Sequence, residues 1–310
     1  MGLGAGLAAP KLDGMWRAKA GAGGLVMKMA YQGEPGAFSE AAGRRVAPDT
    51  ELLPCKSFED VFAAVQGGQA HYGILPIENS IGGSIHRNYD LLVTHELPIQ
   101  AEIELPVVHQ LLALPGTTIE RLRRVYSHPQ ALAQCERFLR TLKGVDIIAT
   151  YDTAGSAKMV ADEHLEDAAA IASARAGEIF GLTALASSIQ DFDDNITRFL
   201  VVGARPLHDA VPDKTSIVFS LPNEPGSLFK ALSVFALRGV DLTKLESRPI
   251  PGRPWEYLFY VDLAAARDEV TCSRALAHLA EFAPMLRTLG SYASWKTHEG
   301  WLPDPFEVLS

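Results

Sequence analysis

The feature of this sequence that most restricts its fold is a regular alternation of short β-rich runs and amphipathic helical runs. The first predicted strand is Leu25–Tyr31, and the last of this series is Ile196–Val202. Between them, Ser57 and Asp60 form a predicted capping box at the start of a helix whose apolar residues recur at helical spacing. Strands that alternate with helices indicate βαβ units, so we expect two α/β lobes with mostly parallel sheets around a cleft.

The chain has 310 residues, which is enough for two or three domains. Its composition changes at residues 205–213, a polar stretch with prolines, and the run that follows has the β-α-β-β-α-β order of a ferredoxin-like α+β domain. The predicted organisation is a disordered extension (1–26), an α/β region of two lobes (27–204), a linker (205–213), an α+β domain (214–295) and a C-terminal tail (296–310).

Composition argues against several classes of partner. The net charge of −9 disfavours a nucleic-acid-binding surface, and no run of apolar residues reaches transmembrane length. The histidines lack the spacing of metal-ligand pairs, so no metal site is expected. Three widely separated cysteines and the lack of a signal-peptide pattern favour a cytoplasmic location.

Polar residues lie at five predicted strand-to-helix junctions, which gather at the carboxyl ends of strands in α/β sheets. The free N–H groups of helix N-termini suit anions, so the junctions together predict an anion-binding cleft. Glu78 directly follows an apolar strand and is expected at the cleft edge. The residues alone indicate an α/β enzyme or binding protein for a small anion.

Arg198 lies inside a predicted strand, where a guanidinium needs an anionic partner. That partner is either a ligand or one of three nearby aspartates, Asp191, Asp193 and Asp194. Because side chains alternate along a strand, Thr197 and Arg198 should point to opposite faces. Both can reach one ligand only if the strand is irregular there or the ligand lies at its end.

Five stretches of residues 29–204 resemble the catalytic region of the prephenate dehydratase family, in the order and spacing typical of that family. These stretches are Tyr31–Ser39, Gly73–Ser80, Ser127–Cys135, Asp152–Ala157 and Asn195–Phe199. Residues 214–295 are similar to the ACT domain, an amino-acid-binding domain found on these enzymes, through the runs Asn223–Leu228 and Glu246–Pro249. The resemblance implies a periplasmic-binding-protein-like α/β region with a ferredoxin-like ACT domain.

The resemblance also implies a reaction, the decarboxylating dehydration of prephenate to phenylpyruvate in phenylalanine biosynthesis, without a cofactor or metal. Thr197 is then the catalytic threonine, assisted by Glu78, and Arg198 is expected to pair with the pyruvyl carboxylate. Further substrate-binding residues are expected at the junctions and in the last strand. They are Asn79, Ser80, Ser127, Gln134, Asp152, Thr153 and Phe199.

For regulation, the resemblance implies that phenylalanine binds between paired ACT domains of a homodimer or homotetramer. The expected effector residues are Asn223, Pro225, Gly226, Ser227, Leu228, Glu246, Ser247, Arg248 and Pro249. Two other functions stay open: an arogenate dehydratase, since arogenate has an amino group where prephenate has a keto group, and a cytoplasmic small-anion binding or regulatory protein without catalysis.

Overall fold

The computed structural model describes residues 26–250 and 252–295. The extension expected at 1–26 lies outside these ranges except for its last residue, and the tail expected at 296–310 lies outside them entirely. Within the described ranges, no helix is long and apolar enough to cross a membrane.

Lobe 1 is a mixed sheet in the order β2-β1-β3-β11-β5, with helices packed on it. The capping box predicted at the start of its second helix is confirmed, since Ser57 and Asp60 bond each other's backbone N–H groups. Its elements are β1 (Lys28–Gln32), α1 (Phe38–Val46), β2 (Glu51–Cys55), α2 (Phe58–Gln66), β3 (Tyr72–Asn79), β4 (Gly83–Ser84), α3 (His86–His95), β5 (Ile99–Pro106) and β11 (Ile196–Gly203).

Lobe 2 is a second sheet, in the order β10-β6-β9-β7-β8. The helix predicted after its second strand is divided into two short helices at Cys135. Its elements are β6 (Gln110–Ala113), a 3-10 turn (Ile119–Arg121), β7 (Arg124–Ser127), α4 (Pro129–Gln134), α5 (Glu136–Leu139), β8 (Asp146–Ala149), α6 (Thr153–Asp162), β9 (Ala168–Ala172), α7 (Ala174–Phe180) and β10 (Thr183–Ala186).

The expectation of mostly parallel sheets is wrong in part. Strand β11 is antiparallel to both of its neighbours, β3 and β5, and β6 is antiparallel to β9 and β10. The reason is the path of the chain: it leaves lobe 1 after β5, forms lobe 2, and returns to lobe 1 as β11. A hydrogen bond of 2.7 Å from Val107 N to Asn195 O joins the two crossovers.

The C-terminal domain confirms the predicted ferredoxin-like order. Its four strands form an antiparallel sheet, β13-β14-β12-β15, and the edge strand β15 continues into lobe 1 by pairing Gly290 with Ile99. A Cβ at Gly290 would lie 2.4 Å from Ile99 O, so glycine permits this junction. The elements are β12 (Lys214–Ser220), α8 (Ser227–Ala236), β13 (Leu242–Pro249), β14 (Tyr257–Leu263), α9 (Val270–Ala280) and β15 (Met285–Tyr292).

The sheet of the C-terminal domain is covered on both faces. Helices α8 and α9 pack on one face, where Phe219 and Phe235 are fully buried. The other face packs on lobe 1, with the ring of Tyr260 4.9 Å from that of Tyr89. Lobe 1 and the C-terminal domain therefore share a core, so a shift in one domain moves side chains of the other.

The two lobes contact each other beside the cleft that separates their sheets. Ser173 Oγ donates a 2.6 Å hydrogen bond to Gly36 O, and Glu34 N donates one of 3.0 Å to Asp152 Oδ2. Gly36 has a φ of +93°, and a Cβ there would lie 2.7 Å from Ala176 Cα. A residue without a side chain is therefore required where the lobes meet.

Candidate active site

A cavity of about 450 Å³ lies between the two lobes. The N-terminal ends of five helices reach it, α1, α2 and α3 from lobe 1 and α4 and α6 from lobe 2. Each helix end presents backbone N–H groups and the positive end of a dipole. The predicted gathering of helix N-termini at one cleft is thus observed, and the arrangement suits a ligand with more than one negative group.

Thr197 on β11 and Asn79 on β3 form a pair at the base of the cavity. The two residues are opposite each other in the antiparallel register, and both line the cavity. Asn79 Nδ2 lies 3.0 Å from Thr197 Oγ1 and 2.7 Å from Asn195 Oδ1. An amide nitrogen only donates, so the Thr197 oxygen accepts and its own hydrogen stays available to a ligand.

Gln134 and His109 hold this pair from the side of lobe 2. Gln134 Nε2 donates to Asn79 Oδ1 at 3.1 Å, and Gln134 Oε1 accepts from Asn195 Nδ2 at 3.1 Å. His109 Nε2 lies 3.0 Å from the same Gln134 oxygen, so Nε2 carries the proton. Burial lowers the pKa of His109, which keeps the imidazole neutral near pH 7.

Two cationic side chains also line the cavity, Lys56 and Arg87. Both come from lobe 1: Lys56 precedes α2, and Arg87 is the second residue of α3, where it also forms an ion pair of 2.7 Å with Glu59. His128 lines it from lobe 2, and burial lowers the pKa of its imidazole although the Asp152 carboxylate opposes this shift. Lys56 and Arg87, with the helix ends, therefore supply the positive field of the site.

The predicted substrate-binding residues divide into two groups. Those that line the cavity, beside the predicted catalytic Thr197, are Asn79, Gln134, Asp152, Thr153 and Phe199, and their roles there stay predictions. Ser80 and Ser127 do not line it. Ser80 Oγ bonds Asp194 O and Ile196 N, which fixes the start of β11, and the fully buried Ser127 donates to Ile171 O on β9.

The expectation that Arg198 holds a substrate carboxylate is corrected by its position. As the alternation along β11 predicts, Arg198 points away from Thr197, to the face of the sheet that the C-terminal domain covers. Its guanidinium bonds Glu102 at 2.7 Å, Asp262 at 2.6 Å and the Tyr292 hydroxyl at 3.1 Å. These partners replace the three aspartates considered from sequence, and they leave Arg198 no route to the cavity.

Glu78 is likewise absent from the cavity lining, so its expected role beside Thr197 is corrected too. It is opposite Arg198 in the ladder of β3 and β11, and it faces the C-terminal domain. Its carboxylate forms an ion pair of 2.9 Å with Lys244 on β13. The cause is again the two-residue period of a strand, which sends Asn79 to one face and Glu78 to the other.

The expected effector residues lie on two sides of the C-terminal domain. Asn223, Pro225 and Gly226 are exposed in the turn before α8, and Leu228 is 37% exposed. On β13, Ser247 and Pro249 are also exposed, but Glu246 and Arg248 face the catalytic region instead. Glu246 accepts a hydrogen bond from Ser84 Oγ at 2.7 Å, and Arg248 lies 3.2 Å from Asp90.

Several cavity-lining residues were not expected from sequence, among them Lys56, Arg87 and His109. Lys56 does precede the capping box of α2, so the junction that contains it carried a signal. Arg87 and His109 lie in segments where no strand-to-helix junction was recognised. Among the described residues, no cluster of three His, Cys, Asp or Glu side chains that could hold a metal ion is found.

Comparison with known proteins agrees with this architecture. The sequence profile of the prephenate dehydratase family matches residues 29–207, and that of the ACT domain matches residues 215–271. A plant relative, arogenate dehydratase/prephenate dehydratase 2 (chloroplastic) of Arabidopsis thaliana, is 51% identical over 280 residues, which are 87% of this chain and 73% of the relative.

Two solved structures share the fold over most of both chains. Prephenate dehydratase of Arthrobacter aurescens, in complex with L-Phe, has a TM-score of 0.79 and 33% identity, covering 88% of this chain and 91% of that one. GqqA, described as a quorum quenching acylase, has a TM-score of 0.78 and 36% identity, covering 86% and 98%. The expected periplasmic-binding-protein-like region with a ferredoxin-like ACT domain is thus confirmed.

The prediction of a cytoplasmic location is contradicted by these relatives, because the Arabidopsis protein and others of similar identity are chloroplastic. The family assignment, in contrast, is shown by two independent matches. The profile covers more than half of the chain, and the identity to the plant relative is far above the 30% at which family membership is secure. This chain belongs to the prephenate dehydratase family, and it is a lyase that eliminates water and carbon dioxide.

Proposed function

We propose that this enzyme converts prephenate to phenylpyruvate, with the Thr197 hydroxyl donating a hydrogen bond to the departing C4 oxygen. The observation that carries the proposal is the bond from Asn79 Nδ2 to Thr197 Oγ1, which directs the hydroxyl hydrogen elsewhere. In the reaction the bond from the ring to its carboxylate breaks, and its electron pair enters the ring. The C4–O bond breaks as this electron pair moves, and the leaving hydroxide takes a proton from solvent to become water.

The ring carboxylate must be positioned but not held too firmly, because an interaction that is stronger in the ground state than in the transition state slows its loss as CO₂. Lys56, Arg87 and the five helix ends are the positive groups at the cavity. We assign the pyruvyl carboxylate to a cationic side chain, since that group keeps its charge throughout. The ring carboxylate then contacts backbone N–H groups, whose partial charges hold it less tightly.

A direct test measures phenylpyruvate formation by wild type, Thr197→Ala and Thr197→Ser. We expect Thr197→Ala to lower kcat by about 10²–10⁴-fold, the range for a lost positioned proton donor. Thr197→Ser keeps the hydroxyl and should lose less than the alanine variant. If the kcat of Thr197→Ala stays within about threefold of the wild-type value, the loss is far below that range and the role of Thr197 is refuted.

Arogenate is the second candidate substrate, and one feature of the cavity favours it. Asp152 is the only carboxylate that lines the cavity among the described residues. A carboxylate repels a doubly anionic substrate, but it attracts the α-ammonium group that arogenate carries in place of the keto group. The Arabidopsis relative carries both substrates in its name.

The two candidates are separated by measuring kcat/KM for both substrates in wild type and Asp152→Asn. Asparagine keeps the size and the acceptor for Glu34 N but removes the charge. If Asp152 pairs with the ammonium group, kcat/KM for arogenate should fall by about tenfold, equivalent to about 1.4 kcal/mol, while that for prephenate is unchanged or rises. Equal effects on both substrates would assign Asp152 to the contact between the lobes.

We also propose feedback by phenylalanine at paired ACT domains of a homodimer. In the part of the chain that the structure describes, β13 is the last strand of its sheet, and its outer face exposes Leu245 (46%); Leu228 of α8 is also exposed (37%). An exposed edge strand with apolar side chains suits pairing with a second copy. The L-Phe complex of the Arthrobacter aurescens enzyme supports phenylalanine as the effector.

This proposal predicts that Leu245→Asp lowers the mass in solution from that of a dimer to that of a monomer, as measured by light scattering. Val211→Asp is the matched control, since Val211 is 84% exposed in the segment between the catalytic region and β12. Phenylalanine should inhibit wild type and not Leu245→Asp. A wild-type enzyme that is monomeric, or that does not respond to phenylalanine, would refute the corresponding half.

A further inference from the structure

We propose that Arg198 and Glu78 are positioning residues, through which the ACT domain holds Thr197 and Asn79 in place. The inference rests on the proposed role of Thr197 in the reaction. Its basis is the register of β3 and β11, in which Thr197 is opposite Asn79 and Arg198 is opposite Glu78. The first pair faces the cavity, and the second pair, adjacent along both strands, faces the ACT domain.

The Arg198 side of this ladder is held by a buried cluster. Arg198 bonds Asp262 of β14 at 2.6 Å and Glu102 of β5 at 2.7 Å. Asp262 also accepts a 2.5 Å hydrogen bond from Ser216 of β12, while Lys214 bonds Glu102 at 2.9 Å. The side chains of Glu102 and Asp262 are 2% and 10% exposed, so these ion pairs are little screened by water.

The Glu78 side is held by Lys244 of β13, whose side chain is 9% exposed. Lys244 Nζ lies 2.9 Å from Glu78 Oε1, 3.0 Å from Ser84 Oγ and 5.6 Å from the centre of the Tyr89 ring. Strand β13 therefore contacts the catalytic region at the residue next to Asn79. A displacement of β13 shifts Glu78, and with it the amide that orients the Thr197 hydroxyl.

Strand β13 has two faces with different neighbours, as β3 and β11 do. Lys244, Glu246 and Arg248 point to the catalytic region, while Leu245 and Ser247 point to the outer side where the effector is proposed to bind. A ligand on the outer face thus contacts the strand whose inner face holds Glu78. The path from effector to Thr197 runs from β13 through the Lys244–Glu78 ion pair to β3, and through the Asn79–Thr197 hydrogen bond to β11.

Positioning and substrate binding make different predictions for kinetics. If Glu78 positions Asn79 and Thr197, its loss should lower kcat while KM stays within a factor of about two, since the groups that bind the carboxylates are not disturbed. A misplacement of about 1 Å can cost about 10²-fold, so a partial displacement should cost about tenfold in kcat. A residue that binds substrate would raise KM instead.

The test exchanges the two charges, singly and together, in the full chain. Glu78→Lys and Lys244→Glu each place like charges beside one another, and the double variant restores an ion pair of reversed polarity. We expect each single variant to lose about tenfold in kcat and the double variant to recover most of it, because coupled residues are non-additive. Glu78→Gln, which only removes a charge, serves if a single exchange does not fold.

The matched control is Glu96→Gln. Glu96 forms another ion pair with the ACT domain, 3.2 Å from Arg287, but it lies at the end of α3 and not on β3 or β11. Its kcat should stay within a factor of about two of wild type, because exposed ion pairs contribute little. A double variant no more active than either single variant, or a control as impaired as Glu78→Gln, would overturn the inference.

Amide hydrogen exchange gives a second measurement that does not depend on turnover. In Glu78→Gln the amides of β3 and β11 around Asn79 and Thr197 should exchange faster than in wild type, and those of lobe 2 should not change. If wild type is inactive on both substrates, the proposed function is refuted, but the exchange measurement still tests the positioning role. Unchanged exchange in β3 and β11 refutes the positioning role by itself.

Discussion

On the cavity face of β3 and β11, Thr197 is held by neutral amides, whereas on the opposite face Arg198 is held by carboxylates. The amides of Asn79, Gln134 and Asn195 bond one another and the threonine. The buried cluster around Arg198 on the opposite face has two cations, Arg198 and Lys214, and two anions, Glu102 and Asp262. The two faces share one backbone and yet use different means to fix it.

This difference follows from what each face must do. A neutral network orients a hydroxyl without adding charge that would compete with an anionic substrate, and it is costly to leave half-satisfied in a buried site. An ionic cluster with no net charge fixes two domains against each other, and removal of one member leaves its partner buried and uncompensated. The first arrangement serves chemistry, and the second serves the geometry on which the chemistry depends.

The largest effect on stability is expected from breaking the ionic face. Arg198→Met should lower the free energy of unfolding by about 3–5 kcal/mol, because Asp262 would remain buried without its ion-pair partner and Glu102 would keep only Lys214. Urea denaturation followed by circular dichroism measures the change. Glu136→Gln, which breaks an exposed pair with Arg140, is the control and should change it by less than about 1 kcal/mol. Equal losses in the two variants would contradict the distinction.

Breaking the neutral face should cost activity more than stability. Asn79→Ala removes the donor to Thr197 and leaves Gln134 Nε2 without its acceptor, so the free energy of unfolding should fall by about 1–3 kcal/mol. With the Thr197 hydroxyl no longer oriented, kcat should fall by about 10²-fold. Steady-state kinetics measure the loss of kcat, and urea denaturation of the same preparation measures the loss of stability. A variant that is unstable but fully active would reverse our assignment.

The smallest expected effect sharpens the comparison through pH. Burial lowers the pKa of His109 in the folded protein, so the unfolded chain binds more protons below its ordinary value of about 6.5. Stability from neutral His109 is complete above that pH and is lost as the pH falls, by at most about 1.4 kcal/mol per pH unit. His109→Gln should flatten this slope between pH 6.5 and 5. An unchanged slope would show that other groups cause it.

Much of this architecture is readable from residue patterns, because the patterns are local. The capping box at Ser57 depends on residues three positions apart, and the alternation along β11 sends Thr197 and Arg198 to opposite faces whatever surrounds them. The gathering of helix ends at one cleft follows from the order of strands and helices. These features need no knowledge of which distant segments come together.

The partners of Arg198 and Glu78 were not readable in this way. Asp262 is 64 residues from Arg198 and Lys244 lies in another domain, so nothing near Arg198 in the sequence identifies them. Sequence alone therefore assigns Arg198 and Glu78 to the substrate, although their strands place both on the face opposite the cavity. A motif shows which residues stay together along the chain, but not which face of the sheet each residue occupies.

The close approach of the lobes at Gly36 means that one backbone position controls how far the cleft can close. The backbone there touches Ala176 with no room for a methyl group, and two hydrogen bonds between the lobes flank the contact. A side chain at position 36 would collide with the backbone of Ala176, so even a methyl group there would keep the two lobes from approaching this closely.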